Sequence, residues 1–310
     1  MASRTRFPAD RGLTARMLST VFLLGLLYAV FVTVLFLVGL KLVFILVIAF
    51  ALLFVQYFYS DRIALYSMGG KIVTREQAPQ LHGVVDRLCA MADMPKPQVA
   101  IANVDMPNAF ATGRDQKHAV VCVTSGILRR LDEPELEAVL AHELSHVAHR
   151  DVAVMTIASF LGILAGLLTR VLAYAGLFGG FGGNNRNQGG GGGQLALIEI
   201  GMLAFSALVY AISFVLIRTL SRYRELAADR SGAILIGQPR LLAQALVKVT
   251  GEMSRVPTRD LRAAEHFNAF FFAPAFVKGV SLSSLFSTHP TLERRLQQLT
   301  ELEAQMGRAT

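Results

Sequence analysis

The chain has 310 residues, of which 53% are hydrophobic, and its mean hydropathy is +0.48. Soluble domains have an apolar share of about 45–50%, so the composition predicts a membrane protein. The formal net charge is +8, but the basic residues form no patch interleaved with aromatic residues. We therefore interpret the charge as attraction to a membrane surface, which excludes nucleic acid as the expected partner.

The first long apolar stretch predicts a membrane hairpin. Residues 17–59 contain one charged residue, Lys41. A single helix of this length would measure about 65 Å, twice the roughly 30 Å of the hydrocarbon layer. We therefore predict two transmembrane helices, at about 17–38 and 42–59, with a tight turn at Lys41. This pair forms an N-terminal membrane hairpin, and no cleavable signal peptide is evident.

The segment His142-Glu143-Leu144-Ser145-His146 is the most informative motif. Residues four apart share one face of a helix, so the two imidazoles can bind one metal ion. Zinc is the expected ion because imidazole suits it, and Glu143 is placed to take a proton from an attacking water. This pattern is typical of a hydrolase. The alternative is a solvated helix with two surface histidines.

The residues before this motif predict the start of its helix. Asp132 can cap a helix, Pro134 suits the first turn, and carboxylates are favourable there. An apolar stripe at helical spacing beside the histidines predicts packing against a core. The stripe consists of Leu136, Val139, Leu140, Leu144 and Val147.

Two further apolar stretches, 152–177 and 195–217, are separated by a glycine- and asparagine-rich tract at 179–193. The tract predicts a flexible loop, and its simplest interpretation is a linker. We predict about four transmembrane helices in total, although the last two stretches could instead pack partly against the domain outside the membrane. That domain is then made of two parts, 61–151 and 218–310. The predicted organisation is 1–60, 61–151, 152–217 and 218–310.

A catalytic zinc ion needs a third protein ligand and an open position for water. The best candidate is Glu225, within 221–229. Glu225 and Asp229 share one helical face, so one can bind the metal while the other accepts the ring N–H of a zinc-binding histidine. The alternative is an exposed, charged helix that follows a membrane segment.

Basic residues flank the predicted spans unevenly. The loop between the last two spans contains only Arg186. The positive-inside rule then places both termini and the domain in the cytoplasm, where Cys89 and Cys122 are expected to be buried free thiols. The basic residues on the predicted cytoplasmic side are Arg4, Arg6, Arg11, Arg16, Arg62, Lys71, Arg75, Arg218, Arg222 and Arg224.

Four motifs in this order resemble the membrane-embedded M48 metallopeptidases, specifically the bacterial and archaeal HtpX-type heat-shock proteases. The resemblance implies a membrane zinc endopeptidase that cuts damaged or misfolded membrane proteins. It implies one zinc ion per chain, with ligands at His142, His146 and Glu225 and a base at Glu143. The motifs are NAFATG at 108–113, AHELSHVAHRD at 141–151, SRYRELAAD at 221–229 and STHP at 287–290.

The resemblance also implies substrate contacts. Segment 108–113 resembles an edge strand that pairs with the substrate backbone, which assigns Asn108, Ala109, Phe110 and Ala111 to substrate binding; the alternative is an exposed loop. His289 resembles a histidine that hydrogen-bonds the tetrahedral intermediate. Arg295 follows it in the HPxxxxR pattern and is grouped with the substrate-binding residues. The alternative is that His289 caps the final helix, 292–306, and that Arg294 and Arg295 are solvated.

The predicted fold is α+β and mostly helical: a zincin-like metallopeptidase domain anchored in the cytoplasmic membrane of a prokaryote. Its partners are unfolded or membrane-protein substrates and the lipid bilayer. One alternative is a related peptidase that matures a particular lipidated or precursor protein. Another is a membrane scaffold or transporter with a structural metal, which is disfavoured because structural zinc sites usually have four protein ligands.

Overall fold

The computed structural model describes residues 11–37, 68–151, 192–253 and 289–308, together with isolated positions between 47 and 66 and between 154 and 169. The chain divides into two compact units. The first contains Met1–Met17, Val55–Met155 and Arg218–Thr310, and the second contains Leu18–Phe54 and Thr156–Ile217.

The described residues form seven numbered helices and four strands. The helices are α1 (Arg11–Leu37), α2 (Pro79–Ala92), α3 (Ser125–Arg130), α4 (Glu133–Ala148), α5 (Gly192–Ile236), α6 (Pro239–Met253) and α7 (Leu292–Met306). The strands are β1 (Gly70–Ile72), β2 (Gln98–Ala102), β3 (Ala109–Thr112) and β4 (Val120–Thr124). The architecture is α+β and mostly helical, as predicted.

The four strands form one sheet in the order β1-β2-β4-β3. The central pair, β2 and β4, is parallel, and the outer strands run antiparallel to their neighbours. In this register Val121 lies between Val99 and Ala111. Strand β3 therefore lies at an edge of the described sheet.

One face of this sheet forms the main core with helices α2, α4, α6 and α7. At its centre are Val121 from β4, Leu88 from α2 and Leu140 from α4, together with Leu246 from α6 and Leu299 from α7. Each of these side chains is at most 1% exposed. Burial of such side chains contributes about 1.5–3 kcal/mol each, so the core holds α4 firmly against the sheet.

Helix α4 begins with a capping box. The Asp132 carboxylate accepts from the Glu135 N–H, and the Glu135 side chain accepts from the Asp132 N–H. Lys248 of α6 lies 2.7 Å from the same Glu135 carboxylate. The predicted start of the helix is confirmed, and all five residues of the predicted apolar stripe are buried.

The second unit contains long apolar helical segments. Among the described residues, two helices are long and apolar enough to cross a membrane, Thr14–Leu37 and Ile200–Ile236, with mean hydropathies of 2.6 and 2.4, and each lies partly in this unit. Within this unit the rings of Phe31 and Phe205 stack at 5.9 Å. A methyl group at Gly166 would meet the Tyr210 ring at 3.1 Å, so this ring would have to shift to admit a larger residue.

The predicted spans at 17–38 and 195–217 coincide largely with apolar parts of α1 and α5. Of the predicted spans at 42–59 and 152–177 the structure describes isolated helical positions alone, and most of the predicted loop at 179–193 lies outside the described residues. The count of four spans therefore stays a prediction.

Both cysteines are free and buried, as predicted. Burial raises the pKa of the Cys89 thiol to about 11 and that of the Cys122 thiol to about 12. Both thiols are therefore protonated and unreactive near neutral pH.

Candidate metal centre and active site

The predicted metal ligands meet at one point of the first unit. On α4, the Nε2 atoms of His142 and His146 lie 3.2 Å apart. Glu225 approaches from α5, with Oε1 3.4 Å from His146 Nε2 and Oε2 3.8 Å from His142 Nε2. One ligand atom from each of these residues lies within 4.8 Å of the other two.

This donor set fits a zinc ion. Two imidazole nitrogens and one carboxylate are the ligands of many catalytic zinc sites, with a fourth position left for water. Ligand atoms bound at about 2.0–2.1 Å to a tetrahedral ion lie about 3.3 Å from one another. The separations of 3.2 and 3.4 Å from His146 Nε2 are close to this value, and the 3.8 Å from His142 Nε2 to the other Glu225 oxygen is longer. His142 is 1% exposed and Glu225 8%. The two alternatives, surface histidines and an exposed charged helix, are therefore wrong.

Each histidine of the predicted ligand set has a carboxylate beside its other ring nitrogen. His142 Nδ1 lies 2.9 Å from Asp229 Oδ1, and His146 Nδ1 lies 2.6 Å from Asp151 Oδ2. Such a carboxylate fixes the tautomer and the ring orientation of a metal ligand. The structure places Asp229 where the sequence predicted it. Asp151 was missed, although it is the last residue of the motif at 141–151.

A buried arginine pairs with each of these carboxylates. Arg295 donates to both oxygens of Asp229, at 2.7 and 2.6 Å, and Arg224 Nη2 lies 2.6 Å from Asp151 Oδ2. Burial by itself lowers the pKa of Arg295, but the charge and hydrogen bonds of Asp229 outweigh burial and raise it. Arg295 is 1% exposed, so the solvated alternative is wrong for this residue, whereas Arg294 is exposed as that alternative expected. Its predicted part in substrate binding stays a prediction that these contacts do not support.

Glu143 of α4 is buried beside β3. Its Oε2 accepts a hydrogen bond from the main-chain N–H of Ala111, at 2.9 Å. Burial raises the pKa of Glu143 to about 8; the nearby charge of Glu225 acts in the same direction, whereas His146 and Ala111 act against it. A carboxylate with a pKa near the working pH is suited to take and return a proton.

Strand β3 presents its main chain to the site. The Thr124 N–H donates to the Asn108 carbonyl at 2.9 Å, so the main chain of Asn108 faces β4. Because this orientation alternates along a strand, the main-chain groups of Ala109 and Ala111 face the sheet edge. The Phe110 side chain packs in a small core beside Cys122. The exposed-loop alternative is therefore wrong.

His289 lies beside the predicted ligands. Its Nδ1 is 2.9 Å from Glu225 Oε2, and the residue is 6% exposed. The N-cap of α7 is Thr291, whose side chain accepts from the Arg294 N–H. The alternative that His289 caps this helix is therefore wrong.

Gly232 allows α5 to approach α4, and the sequence analysis missed it. A methyl group at this position would lie 2.8 Å from the main-chain N of His142 and 3.0 Å from its Cα. The residue lies seven positions after Glu225 and three after Asp229, on the same helical face. That spacing could have indicated that Gly232 faces the site. The close approach itself could not be predicted, because it depends on a partner helix distant in sequence.

Residues 75–303 match the sequence pattern of Peptidase family M48. The chain belongs to this family. The protease HtpX homolog 1 of Streptomyces coelicolor is 56% identical over 306 residues, which cover 99% of this chain and 98% of that protein. The protease HtpX homolog of Moorella thermoacetica is 51% identical over 304 residues, which cover 98% of each. These relatives confirm an M48 protease of the HtpX type.

Among solved structures, Ste24p of S. mikatae shares the fold. The TM-score is 0.52 at 16% sequence identity, over 94% of this chain and 66% of that chain. At this identity the likeness supports a shared fold alone.

Proposed function

We propose that this membrane M48 protease is a zinc-dependent endopeptidase that hydrolyses peptide bonds of misfolded or damaged membrane proteins. The observation that carries the zinc assignment is the convergence of His142, His146 and Glu225 within 4.8 Å. Two imidazoles and a carboxylate, each histidine oriented by a further carboxylate, are typical of a catalytic zinc site.

The buried carboxylate of Glu143 serves as the general base. His142, His146 and Glu225 would hold a zinc ion, whose positive charge would polarise a water molecule and the scissile carbonyl. Glu143 takes a proton from the attacking water and delivers it to the amine nitrogen as the C–N bond breaks. The Ala111 N–H holds one carboxylate oxygen at 2.9 Å and so fixes the direction of the side chain during this transfer.

The edge of β3 binds the substrate backbone. The main-chain groups of Ala109 and the Ala111 carbonyl face this edge, and an extended peptide can add there as a further strand. Main-chain pairing gives affinity with weak preference for substrate side chains. A protease that removes many different damaged proteins needs such broad substrate specificity.

His289 stabilises the oxyanion that forms when water attacks. Its ring is buried beside Glu225, 2.9 Å from Oε2, and therefore next to the reacting carbonyl. A donor placed at a developing negative charge typically contributes about 10²–10³-fold to turnover.

The chain is proposed to cross the membrane four times, with the peptidase part in the cytoplasm. Support comes from the two apolar helices in the described residues and from the asymmetry of basic residues around the apolar stretches. A site on the cytoplasmic side would meet the unfolded parts of membrane proteins.

A Glu143→Gln variant tests the mechanism. The amide is nearly isosteric and Glu143 is not a ligand, so we expect full zinc occupancy and a loss of hydrolysis of about 10²–10⁴-fold on casein or an unfolded membrane protein. Glu135→Gln, on the same helix but away from the metal ligands, is the matched control and should retain wild-type turnover. Proteins that co-purify with the inactive Glu143→Gln variant would identify substrates. Wild-type turnover by that variant at full zinc occupancy would contradict the mechanism.

A further inference from the structure

Each of the two histidines has a carboxylate beside its Nδ1 and a buried arginine beside that carboxylate. His142 contacts Asp229, which pairs with Arg295. His146 contacts Asp151, which pairs with Arg224. The resemblance to known proteases assigned no role to the second pair. We propose that Asp151 and Arg224 are positioning residues that orient the His146 ring toward the metal and thereby set zinc affinity. This proposal rests on the proposed zinc-dependent function.

Asp151 reaches His146 because the chain turns sharply after α4. The helix ends at Ala148, and Arg150 adopts a left-handed conformation with φ of 57°. That conformation is unfavourable for a residue with a Cβ, so surrounding structure must hold it. The turn brings the Asp151 carboxylate to 2.6 Å from His146 Nδ1. Helical spacing alone would not place a residue five positions after His146 on its ring.

Arg224 fixes the Asp151 carboxylate in turn. Its Nη2 lies 2.6 Å from Asp151 Oδ2, and its Nη1 donates to the main-chain carbonyl of the same residue. The guanidinium thus holds both the side chain and the main chain of Asp151. Arg224 also directly precedes Glu225 in α5. Glu225 lies near His146 Nε2, while Arg224 holds the carboxylate beside His146 Nδ1.

The burial of this pair argues for a positioning role. Asp151 and Arg224 are each 5% exposed. A buried ion pair is often no more stabilising than well-packed apolar side chains, because both charges lose their hydration. Stability alone therefore gives a weak reason for the pair. Orientation of a metal ligand is a more specific reason to keep the pair, because loss of such a partner typically weakens metal binding 10–100-fold.

The test measures zinc affinity of the full chain in detergent, by competition with a chromophoric chelator. We expect Asp151→Asn to weaken zinc binding about 10–100-fold. Arg224→Lys keeps the charge but lacks the planar fork, so its loss should be smaller. Glu135→Gln removes another buried, paired carboxylate on α4 and should bind zinc as the wild type does. The visible spectrum of the Co²⁺-substituted protein should change in Asp151→Asn and stay unchanged in Glu135→Gln.

Thermal unfolding with chelator present separates positioning from simple structural support. A variant with lower metal-free stability but wild-type zinc affinity and Co²⁺ spectrum would overturn the proposal. If Asp151→Asn does not fold, Arg224→Lys is judged by the same criterion. Absence of stoichiometric zinc in the wild-type protein would instead refute the proposed function itself.

Discussion

At the scale of single residues, the proposed centre combines three kinds of group: ligands, the carboxylates behind them and a buried base. Glu225 is the critical member because it comes from a different helix than the two histidines. It contacts His142, His146 and His289, so its carboxylate joins the whole group.

Glu225→Ala should weaken zinc binding at least tenfold, because removal of a ligand costs at least as much as removal of a residue that orients one. Asp229→Ala should weaken binding less, since His142 keeps its own bond to the metal. Metal analysis of the purified protein after dialysis against a weak chelator measures both. Stoichiometric, tightly held zinc in Glu225→Ala would remove this residue from the ligand set.

His289→Ala should lower turnover about 10²–10³-fold while zinc remains bound. The variant also loses the contact with Glu225, so a modest decrease in zinc affinity is expected. Turnover is therefore measured at saturating zinc. Recovery of wild-type turnover under that condition would show that His289 only supports the ligand and does not act on the intermediate.

Residues that share a helical face could be predicted from spacing alone. His142 and His146, and likewise Glu225 and Asp229, are four residues apart on helices that the sequence itself indicates. Asp151 could not be predicted in this way. Its position depends on the left-handed turn at Arg150, and the sequence there has no glycine to indicate it.

At the scale of elements, the centre depends on the distance between α4 and α5. Gly232 sets this distance, because a methyl group there would lie 2.8 Å from the His142 main chain. The contact involves main-chain atoms, so the helices themselves must shift to admit a larger residue.

Gly232→Ala should separate the two helices, at a cost of about 1–3 kcal/mol, and weaken zinc binding. Gly83→Ala is the matched control. A methyl group at Gly83 of α2 meets nothing within 4 Å, and alanine favours a helix by about 1 kcal/mol over glycine. Thermal unfolding and zinc competition are measured on both. Wild-type zinc affinity and stability in Gly232→Ala would show that the helices tolerate the added methyl group.

Local sequence signals predict where each helix or strand begins and ends better than they predict how these elements are arranged. The capping box at Asp132 and the apolar stripe of α4 could be predicted because the interacting residues are close in sequence. The parallel pairing of β2 with β4 brings Val99 to Val121, and no local pattern specifies that partner. For the same reason the sheet order was not predicted.

At the scale of the whole molecule, the first unit is assembled from distant parts of the chain. The two histidines of the proposed ligand set come from Val55–Met155, whereas Glu225 and His289 come from Arg218–Thr310. The intervening residues, Thr156–Ile217, belong to the second unit. During synthesis the proposed zinc ligands therefore become complete only after residues 156–217 have been made.

The orientation of the chain can be tested with reporter fusions. A reporter inserted at 189–193 should lie outside the cytoplasm, and one placed after Thr310 should lie inside it. Both expectations follow from the uneven distribution of basic residues around the apolar stretches. The opposite pattern would reverse the orientation. A cytoplasmic signal at both positions would reduce the predicted spans to the N-terminal hairpin.

The hydrogen bond from Ala111 to Glu143 has a consequence for mutational surveys of this protein. The donor is a peptide N–H, so replacing the Ala111 side chain leaves the contact chemically unchanged. Alanine scanning would pass over it altogether, since positions 109 and 111 are alanine already. Only a change to the peptide unit itself, such as an amide-to-ester exchange, would measure how much the Ala111 N–H contributes to the function of Glu143.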